Sequence, residues 1–133
     1  MWKSMLGLGA GALAVVLGIS TATAAECNWR PERAVTYIVP WAAGGGTDAN
    51  ARMIAGMLER KWGVAINVVN RTGGNGVTGH TAIVNATPDG YTIGAATADI
   101  NTMHWVGMTK LTHADVTPLT LIDFSPSSVL VRA

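Results

Sequence analysis

Short runs of β-branched and aromatic residues alternate along this chain with stretches of helical spacing. Residues 35–41 (Val-Thr-Tyr-Ile-Val-Pro-Trp) and 64–70 (Val-Ala-Ile-Asn-Val-Val-Asn) are typical of buried strands. Residues 91–97 predict a third strand, which follows a Thr-Pro-Asp-Gly turn. Two further short strands are predicted at residues 119–123 and 129–132.

Helical patterns fill the gaps between the first three strands. The first helix has apolar side chains at helical spacing, namely Ala51, Ile54, Leu58 and Trp62. Thr47 is its predicted N-cap, and Asp48 lies in the first turn, where a carboxylate suits the helix dipole. Gly63 is expected to end this helix. A shorter helix is predicted at residues 78–86, and residues 99–107 are ambiguous between helix and loop.

The order β-α-β-α-β predicts an α/β fold with a mostly parallel sheet and right-handed crossovers. In such sheets, ligands sit beyond the carboxyl ends of the strands. We therefore expect binding chemistry in the turns after Trp41, Asn70 and Thr97. The last predicted strand reaches almost to residue 133 without a polar tail, which predicts a sheet that is incomplete within this sequence.

The first 25 residues have the pattern of a secretory signal peptide. Lys3 supplies a positive start, residues 5–19 are apolar, and residues 20–25 are small and include an Ala-Thr-Ala cleavage motif. The apolar run is shorter than the ~20 residues that a membrane-spanning helix needs, which disfavours the alternative of an uncleaved anchor. We therefore expect a periplasmic mature chain of residues 26–133.

Charge and composition narrow the possible functions. Nine basic and eight acidic residues give a formal charge of +1, so the sequence offers no electrostatic footprint for nucleic acid or an anionic membrane. The single cysteine excludes an internal disulfide, and no Cys/His cluster has metal-ligand spacing. The sequence also shows no Ser/His/Asp arrangement of the kind used in nucleophilic catalysis. We expect no nucleic-acid partner, no metal and no cofactor.

The turn after the first strand carries the strongest candidate chemistry. Three consecutive glycines, residues 44–46, let the backbone approach a ligand closely. Unpaired N–H groups at the start of the following helix then attract an anion. Two alternatives stay open on this pattern: a purely structural tight turn, and a nucleotide site. This turn and the loop at residues 74–79 both match glycine patterns of dinucleotide-binding proteins.

Several features count against a nucleotide. Dinucleotide sites usually have an acidic residue at the end of the second strand, where this chain has Asn70 and Arg71. The Gly-Lys-Ser/Thr phosphate loop is missing from the sequence, and the signal peptide directs the chain to a compartment poor in nucleotide cofactors. Trp41, beside the turn, is open between a core residue and a pocket wall.

Six motifs keep a fixed order along the mature chain. They are Trp-Arg-Pro-Glu-Arg at 29–33, Tyr-Ile-Val-Pro-Trp-Ala-Ala-Gly-Gly-Gly-Thr-Asp at 37–48 followed by Arg52, Val-Val-Asn-Arg at 68–71, Gly-Gly-Asn-Gly-Val-Thr-Gly at 73–79, Pro-Asp-Gly-Tyr-Thr at 88–92 and Thr-Pro-Leu at 117–119. Together they resemble the periplasmic substrate-binding proteins of tripartite tricarboxylate transporters, also called Bug receptors.

The resemblance implies a periplasmic-binding-protein-like lobe of a Venus-flytrap receptor. Such a receptor captures a small organic acid, a di- or tricarboxylate or a related anion, and delivers it to the membrane permease subunits without catalysis. In the family, the turn after the first strand holds a ligand carboxylate largely through backbone groups and ordered water. Carried over to this sequence, the ligand-binding residues are Trp41, Ala42, Ala43, Gly44, Gly45, Gly46, Thr47 and Asp48, with Thr97, Ala98 and Asp99 after the third strand.

Two departures from the family pattern stand out. The family usually has a serine and a small residue where this chain has Ala98 and Asp99. A carboxylate at position 99 would repel an anionic ligand unless it is paired. Our hypothesis is that Asp99 pairs with a nearby base, His104, and selects a ligand that bears a cationic or hydroxyl group.

The second departure is length. Family members are considerably longer, so we expect residues 26–133 to form the N-terminal part of the first lobe, without the second lobe. On this expectation the chain alone is marginally stable and binds a carboxylate weakly. The alternatives are a truncated, inactive gene product or a fragment of a Rossmann-type nucleotide-binding oxidoreductase.

Overall fold

A three-stranded parallel sheet organises the chain in a computed structural model, which describes residues 29–123. Its strands are β1 (Val35–Val39), β2 (Ile66–Asn70) and β3 (Thr92–Gly94), in the order β2-β1-β3. β1 is central and pairs in parallel with both neighbours. This arrangement confirms the α/β class with a parallel sheet.

Two α-helices connect the strands. They are α1 (Gly46–Trp62) and α2 (Val77–Val84), and α2 follows a short 3-10 turn at Gly74–Gly76. Two further 3-10 turns, Ala98–Asn101 and His113–Asp115, lie beyond β3. The order β1-α1-β2-α2-β3 confirms the alternation that the sequence predicts. Among residues 29–123, no helix is both long and apolar enough to cross a membrane.

The ends of α1 agree only in part with the sequence prediction. The N-cap is Gly45 and not Thr47, and no side chain caps this end of the helix. Thr47 already lies inside the helix because the glycine turn delivers the chain into helical geometry one residue before the first hydroxyl. Gly63 ends the helix as predicted, and its N–H donates to the carbonyl oxygen of Glu59 at 2.8 Å.

The strands are shorter than the apolar runs that predict them. β1 ends before Pro40, which has no N–H for the ladder. The predicted strand at residues 119–123 is wrong: this segment is irregular, and Leu119 and Leu121 are each 79% exposed because no strand of the described chain pairs with them. The predicted strand at residues 129–132 lies outside the described residues.

The core lies between β1 and α1. Alternate residues of β1 face it, and buried small residues of α1 meet them. The buried members are Val35, Tyr37, Val39, Ala51, Ala55, Ile66 and Ala95. Ile54, Leu58 and Trp62 pack against this cluster, which confirms the apolar face predicted for the first helix. α2 contacts both β1 and β3. The packing thus brings the start of α1 to the carboxyl end of β1.

Candidate ligand-binding site

Three turns come together at the carboxyl edge of the sheet, one after each strand. In the parallel register, Val39 at the end of β1 lies opposite Asn70 at the end of β2. Ile38 lies opposite Gly94, the last residue of β3. Since parallel strands end at the same edge, the residues that follow them are neighbours. The structure therefore joins the turn after Trp41 with the one after Thr97, as the sequence predicts.

Asp48 is the centre of this edge. It lies in the first turn of α1 and is only 3% exposed. Its Oδ2 accepts hydrogen bonds from the Gly44 N–H at 2.8 Å and from Arg52 Nε at 3.0 Å. Its Oδ1 accepts from Asn70 Nδ2 at 2.9 Å. Both carboxylate oxygens are engaged within the protein, so the side chain of Asp48 fixes the shape of the turn.

The donors around Asp48 also set its charge state. Hydrogen bonds from Arg52, Gly44 and Asn70 hold the pKa of Asp48 well below its usual range. The carboxylate therefore stays ionised well below neutral pH. The guanidinium of Arg52 compensates the negative charge at 3.0 Å, so Asp48 does not present an open anion to a ligand.

Asn70 fastens the end of β2 to the first turn. Its Nδ2 donates to the carbonyl oxygen of Trp41 at 2.9 Å as well as to Asp48, and its Oδ1 accepts from Arg52 at 3.1 Å. An acidic side chain at this position could not donate either bond. The residue that counts against a nucleotide site in the sequence thus has a structural role of its own.

A second chain of hydrogen bonds reaches the turn after β3. The indole Nε1 of Trp41 donates to Thr97 Oγ1 at 3.2 Å, and Thr97 Oγ1 donates to Asp99 Oδ2 at 3.0 Å. The hypothesis that Asp99 pairs with His104 is wrong. Asp99 instead bonds to the hydroxyl two residues before it, and the His104 ring contacts Trp105 at a tilt of 44°, with their centroids 4.8 Å apart.

Backbone donors remain unpaired at the start of α1. The first helical hydrogen bond runs from the Ala49 N–H to the Gly45 carbonyl at 2.9 Å. Within residues 29–123, the N–H groups of Gly46, Thr47 and Asp48 meet no protein acceptor. Residues 42–46 are exposed, so this end of the helix opens to solvent. An N-terminus with unpaired N–H groups favours an anionic ligand.

Gly44 gives the turn its shape. Its φ of +84° lies in the left-handed region, which a side chain disfavours. In this conformation its own N–H points back to Asp48 Oδ2 and is not available to a ligand. The Gly44 N–H thus stabilises the turn, while the unpaired N–H groups of Gly46 and Thr47 lie at the exposed start of α1.

The glycine-rich loop after β2 supports the site from one side. A Cβ at Gly76 would lie 3.3 Å from the ring of Trp41 and 3.2 Å from His80 Nδ1. His80 is 1% exposed, and its Nδ1 lies 2.8 Å from the Gly76 carbonyl oxygen. The half-buried Trp41 ring thus packs against the loop, and its indole N–H donates a hydrogen bond to the turn after β3. The loop at residues 74–79 acts here as a packing element.

Gly79 brings α2 against the end of β1. A Cβ at this position would lie 2.5 Å from Pro40 Cα and 2.6 Å from the carbonyl oxygen of Arg71, both of them backbone atoms. Only glycine permits this approach of helix to strand.

In residues 29–123, no group of three or more His, Cys, Asp or Glu side chains is placed to hold a metal ion.

Sequence reasoning missed the roles of Arg52 and Asn70. The signal for Arg52 was present, since Asp48 and Arg52 are four residues apart on one helix and such pairs are neighbours on its surface. Asn70 could be found as the polar end of a strand adjacent to β1. The inward orientation of the Asp48 carboxylate depends on both Arg52 and Asn70, so the position of Asp48 in the sequence alone does not predict it.

Comparison with known proteins places the chain among transporter receptors. A family model described as the tripartite tricarboxylate transporter family receptor matches residues 50–133. The protein BugT of Bordetella pertussis is 38% identical over 86 residues, which cover 61% of this chain and 26% of that protein.

Solved structures of solute-binding proteins also resemble this chain. A TctC solute-binding protein from Polaromonas superposes with a TM-score of 0.60 at 36% identity, over 63% of this chain and 29% of that protein. The structure of R. palustris Rpa4515 with adipate gives a TM-score of 0.52 at 37% identity, over 53% of this chain and 24% of that one. The matched part of the chain thus covers 24–29% of the length of these relatives.

These matches confirm the resemblance seen in the sequence motifs. The family consists of transporter receptors, which agrees with the expectation of a binding protein and not an enzyme. The family model covers residues 50–133, more than half of the chain. The chain therefore belongs to the tripartite tricarboxylate transporter receptor family.

Proposed function

We propose that this chain forms the carboxylate-holding part of an extracytoplasmic solute-binding receptor that serves a tripartite tricarboxylate-type transporter. The observation that carries the proposal is the start of α1. There, the N–H groups of Gly46, Thr47 and Asp48 are unpaired at the carboxyl edge of a parallel sheet. This is the edge at which ligands of open α/β folds bind.

The electrostatics of the turn support an anionic ligand. The helix dipole and the unpaired N–H groups attract negative charge, by about 0.3–1 kcal/mol at an exposed helix end. The carboxylate of Asp48 would oppose this attraction if it were open, but Arg52 and two further donors engage both of its oxygens. The unpaired backbone N–H groups at the start of α1 then hold the ligand, the Asp48 side chain fixes the preceding turn, and Trp41 forms a wall.

The proposed ligand is a small organic acid, such as a di- or tricarboxylate. Support comes from the family description and from the related R. palustris protein, whose structure was solved with adipate. Membrane permease subunits are the proposed partners. Residues 1–25 act in this proposal as a cleaved signal peptide for export to the periplasm, and residues 26–133 as the N-terminal part of the first lobe.

A matched pair of ligands tests the proposal. The chain is exported, purified from the periplasm and labelled with 15N, and adipate or its uncharged diamide is titrated to millimolar concentration while amide resonances are followed by NMR. We expect adipate to shift the resonances of Gly46 and Thr47 and the diamide to leave them unchanged, because the attraction depends on charge. Equal shifts with both ligands, or shifts confined to residues remote from this turn, would contradict the proposal.

A further inference from the structure

Asp99 places a second carboxylate at the edge where the proposed anion site lies. It is half-buried in the 3-10 turn Ala98–Asn101, which directly follows the turn after β3. Its Oδ2 accepts from the Thr97 hydroxyl at 3.0 Å, and that hydroxyl accepts from Trp41 Nε1 at 3.2 Å. These two bonds link Asp99 to Trp41, the residue that immediately precedes the proposed carboxylate-holding turn.

The charge of Asp99 is not compensated by a basic side chain of the described chain. The two ion pairs within residues 29–123 join Arg33 to Asp89 and Arg52 to Asp48. Asp99 has only the Thr97 hydroxyl on Oδ2, and within the same residues its Oδ1 accepts no hydrogen bond. This contrasts with Asp48, whose two oxygens accept three hydrogen bonds.

The uncompensated carboxylate of Asp99 lies at the same edge of the sheet as the proposed anion site, so the ligand must carry a group that interacts favourably with it. Like charges at close range disfavour each other, so a ligand that is anionic on every side would be repelled by Asp99. A ligand with a hydroxyl or ammonium group would instead donate to Asp99 Oδ1, and such charge-assisted bonds are among the stronger hydrogen bonds in proteins.

We propose that Asp99 is a specificity-determining residue, which selects carboxylates that also carry a hydroxyl or ammonium donor. In this arrangement the start of α1 holds the ligand carboxylate, and Asp99 Oδ1 accepts the hydrogen bond from the donor. The inference deepens the proposed function and rests on it.

Three four-carbon acids that differ in one substituent test the inference. Succinate has no donor, malate carries a hydroxyl, and aspartate carries an ammonium group. Each is titrated by NMR into the exported chain and into Asp99→Asn, which removes the charge but can still accept from Thr97. Asp115→Asn makes the same charge change in the 3-10 turn His113–Asp115 and serves as the control. Thermal unfolding of each variant checks that the fold is kept.

The expected result is a preference that depends on Asp99. In the parent chain and in Asp115→Asn, malate and aspartate bind about tenfold more tightly than succinate, as the gain of one hydrogen bond to a charged group predicts. In Asp99→Asn, succinate binding tightens and the preference largely disappears. The same order of affinities in both Asp99 forms, or tightest binding of succinate by the parent, overturns the inference and leaves the proposed function standing. Failure of all three acids to bind either form overturns both.

Discussion

Replacing Gly79 with alanine tests how the second helix supports the site. The added Cβ would lie 2.5 Å from Pro40 Cα and 2.6 Å from the Arg71 carbonyl oxygen, whereas unstrained contacts start near 3.4 Å. Because both neighbours are backbone atoms, α2 and the end of β1 must separate by roughly 1 Å, since an interior packed to crystal density has no spare room. Trp41 lies against Gly76, three residues before Gly79, so the same separation would also disturb its packing.

The magnitude follows from two opposing effects. Alanine is favoured over glycine inside a helix by about 1 kcal/mol. Overpacking of a tight interface costs about 1–3 kcal/mol, and more where backbone must move. We therefore expect Gly79→Ala to lower the free energy of unfolding by about 1–2 kcal/mol.

Gly56→Ala is the matched control, because Gly56 also lies inside a helix. A Cβ at Gly56 would lie 3.6 Å from a guanidinium nitrogen of Arg60, which is ordinary contact. Gly56→Ala should therefore raise the free energy of unfolding by about 0.5–1 kcal/mol.

Urea unfolding of the exported chain, followed by tryptophan fluorescence and circular dichroism, measures both variants. We expect the two alanine substitutions to change the free energy of unfolding in opposite directions. Similar m-values would show that both variants unfold to a similar extent. If Gly79→Ala is as stable as the parent or more stable, the close approach of α2 to β1 is refuted.

Two further predictions concern the hydrogen-bond network. The folded pKa of Asp48 is depressed, so its stabilising contribution is complete above the unfolded pKa of about 3.9 and is lost as the pH falls below it. Asp48→Asn should lower the stability at pH 7 and flatten its decline between about pH 5 and pH 2, as urea titrations at each pH can measure; an unchanged decline would contradict the role of Asp48. Trp41→Phe removes the donor to Thr97 and should cost about 1 kcal/mol. Faster amide exchange at residues 98–101 would accompany this loss, and unchanged exchange would speak against the brace.

Elements that depend on residue type and short-range spacing can be predicted from the sequence. The β-branched run that starts at Val35, the apolar face of α1 and the stop at Gly63 all follow from spacing and residue type, and the structure confirms them. The ambiguous residues 99–107 form a 3-10 turn followed by irregular turns. The parallel sheet followed from the order of these elements.

Features that depend on distant residues could not be predicted in the same way. Asp48 is predicted as a ligand-binding residue; its two oxygens are engaged by Gly44 and Arg52, each four residues away, and by Asn70 at the end of β2, which only the folded sheet brings near. The apolar residues 119–123 have the pattern of a strand and remain irregular, because pairing requires a partner strand and not only a suitable sequence. His104 is close to Asp99 in sequence, yet the Thr97 hydroxyl takes the hydrogen bond.

In the proposed function, the backbone at the start of α1 holds the ligand carboxylate. Gly46 is the first helical residue, where proline is well tolerated, and Gly45 before it has the extended conformation that proline requires, with φ −77° and ψ 168°. Gly46→Pro removes one N–H donor, whereas Gly46→Ala keeps it, and its Cβ meets nothing within 4 Å.

The deciding measurement is the affinity of the parent and these two variants for adipate, by NMR titration. We expect Gly46→Ala to bind adipate like the parent and Gly46→Pro to bind it about tenfold more weakly, because the proline variant lacks one hydrogen bond to a charged group. Equal affinities in the alanine and proline variants would contradict it.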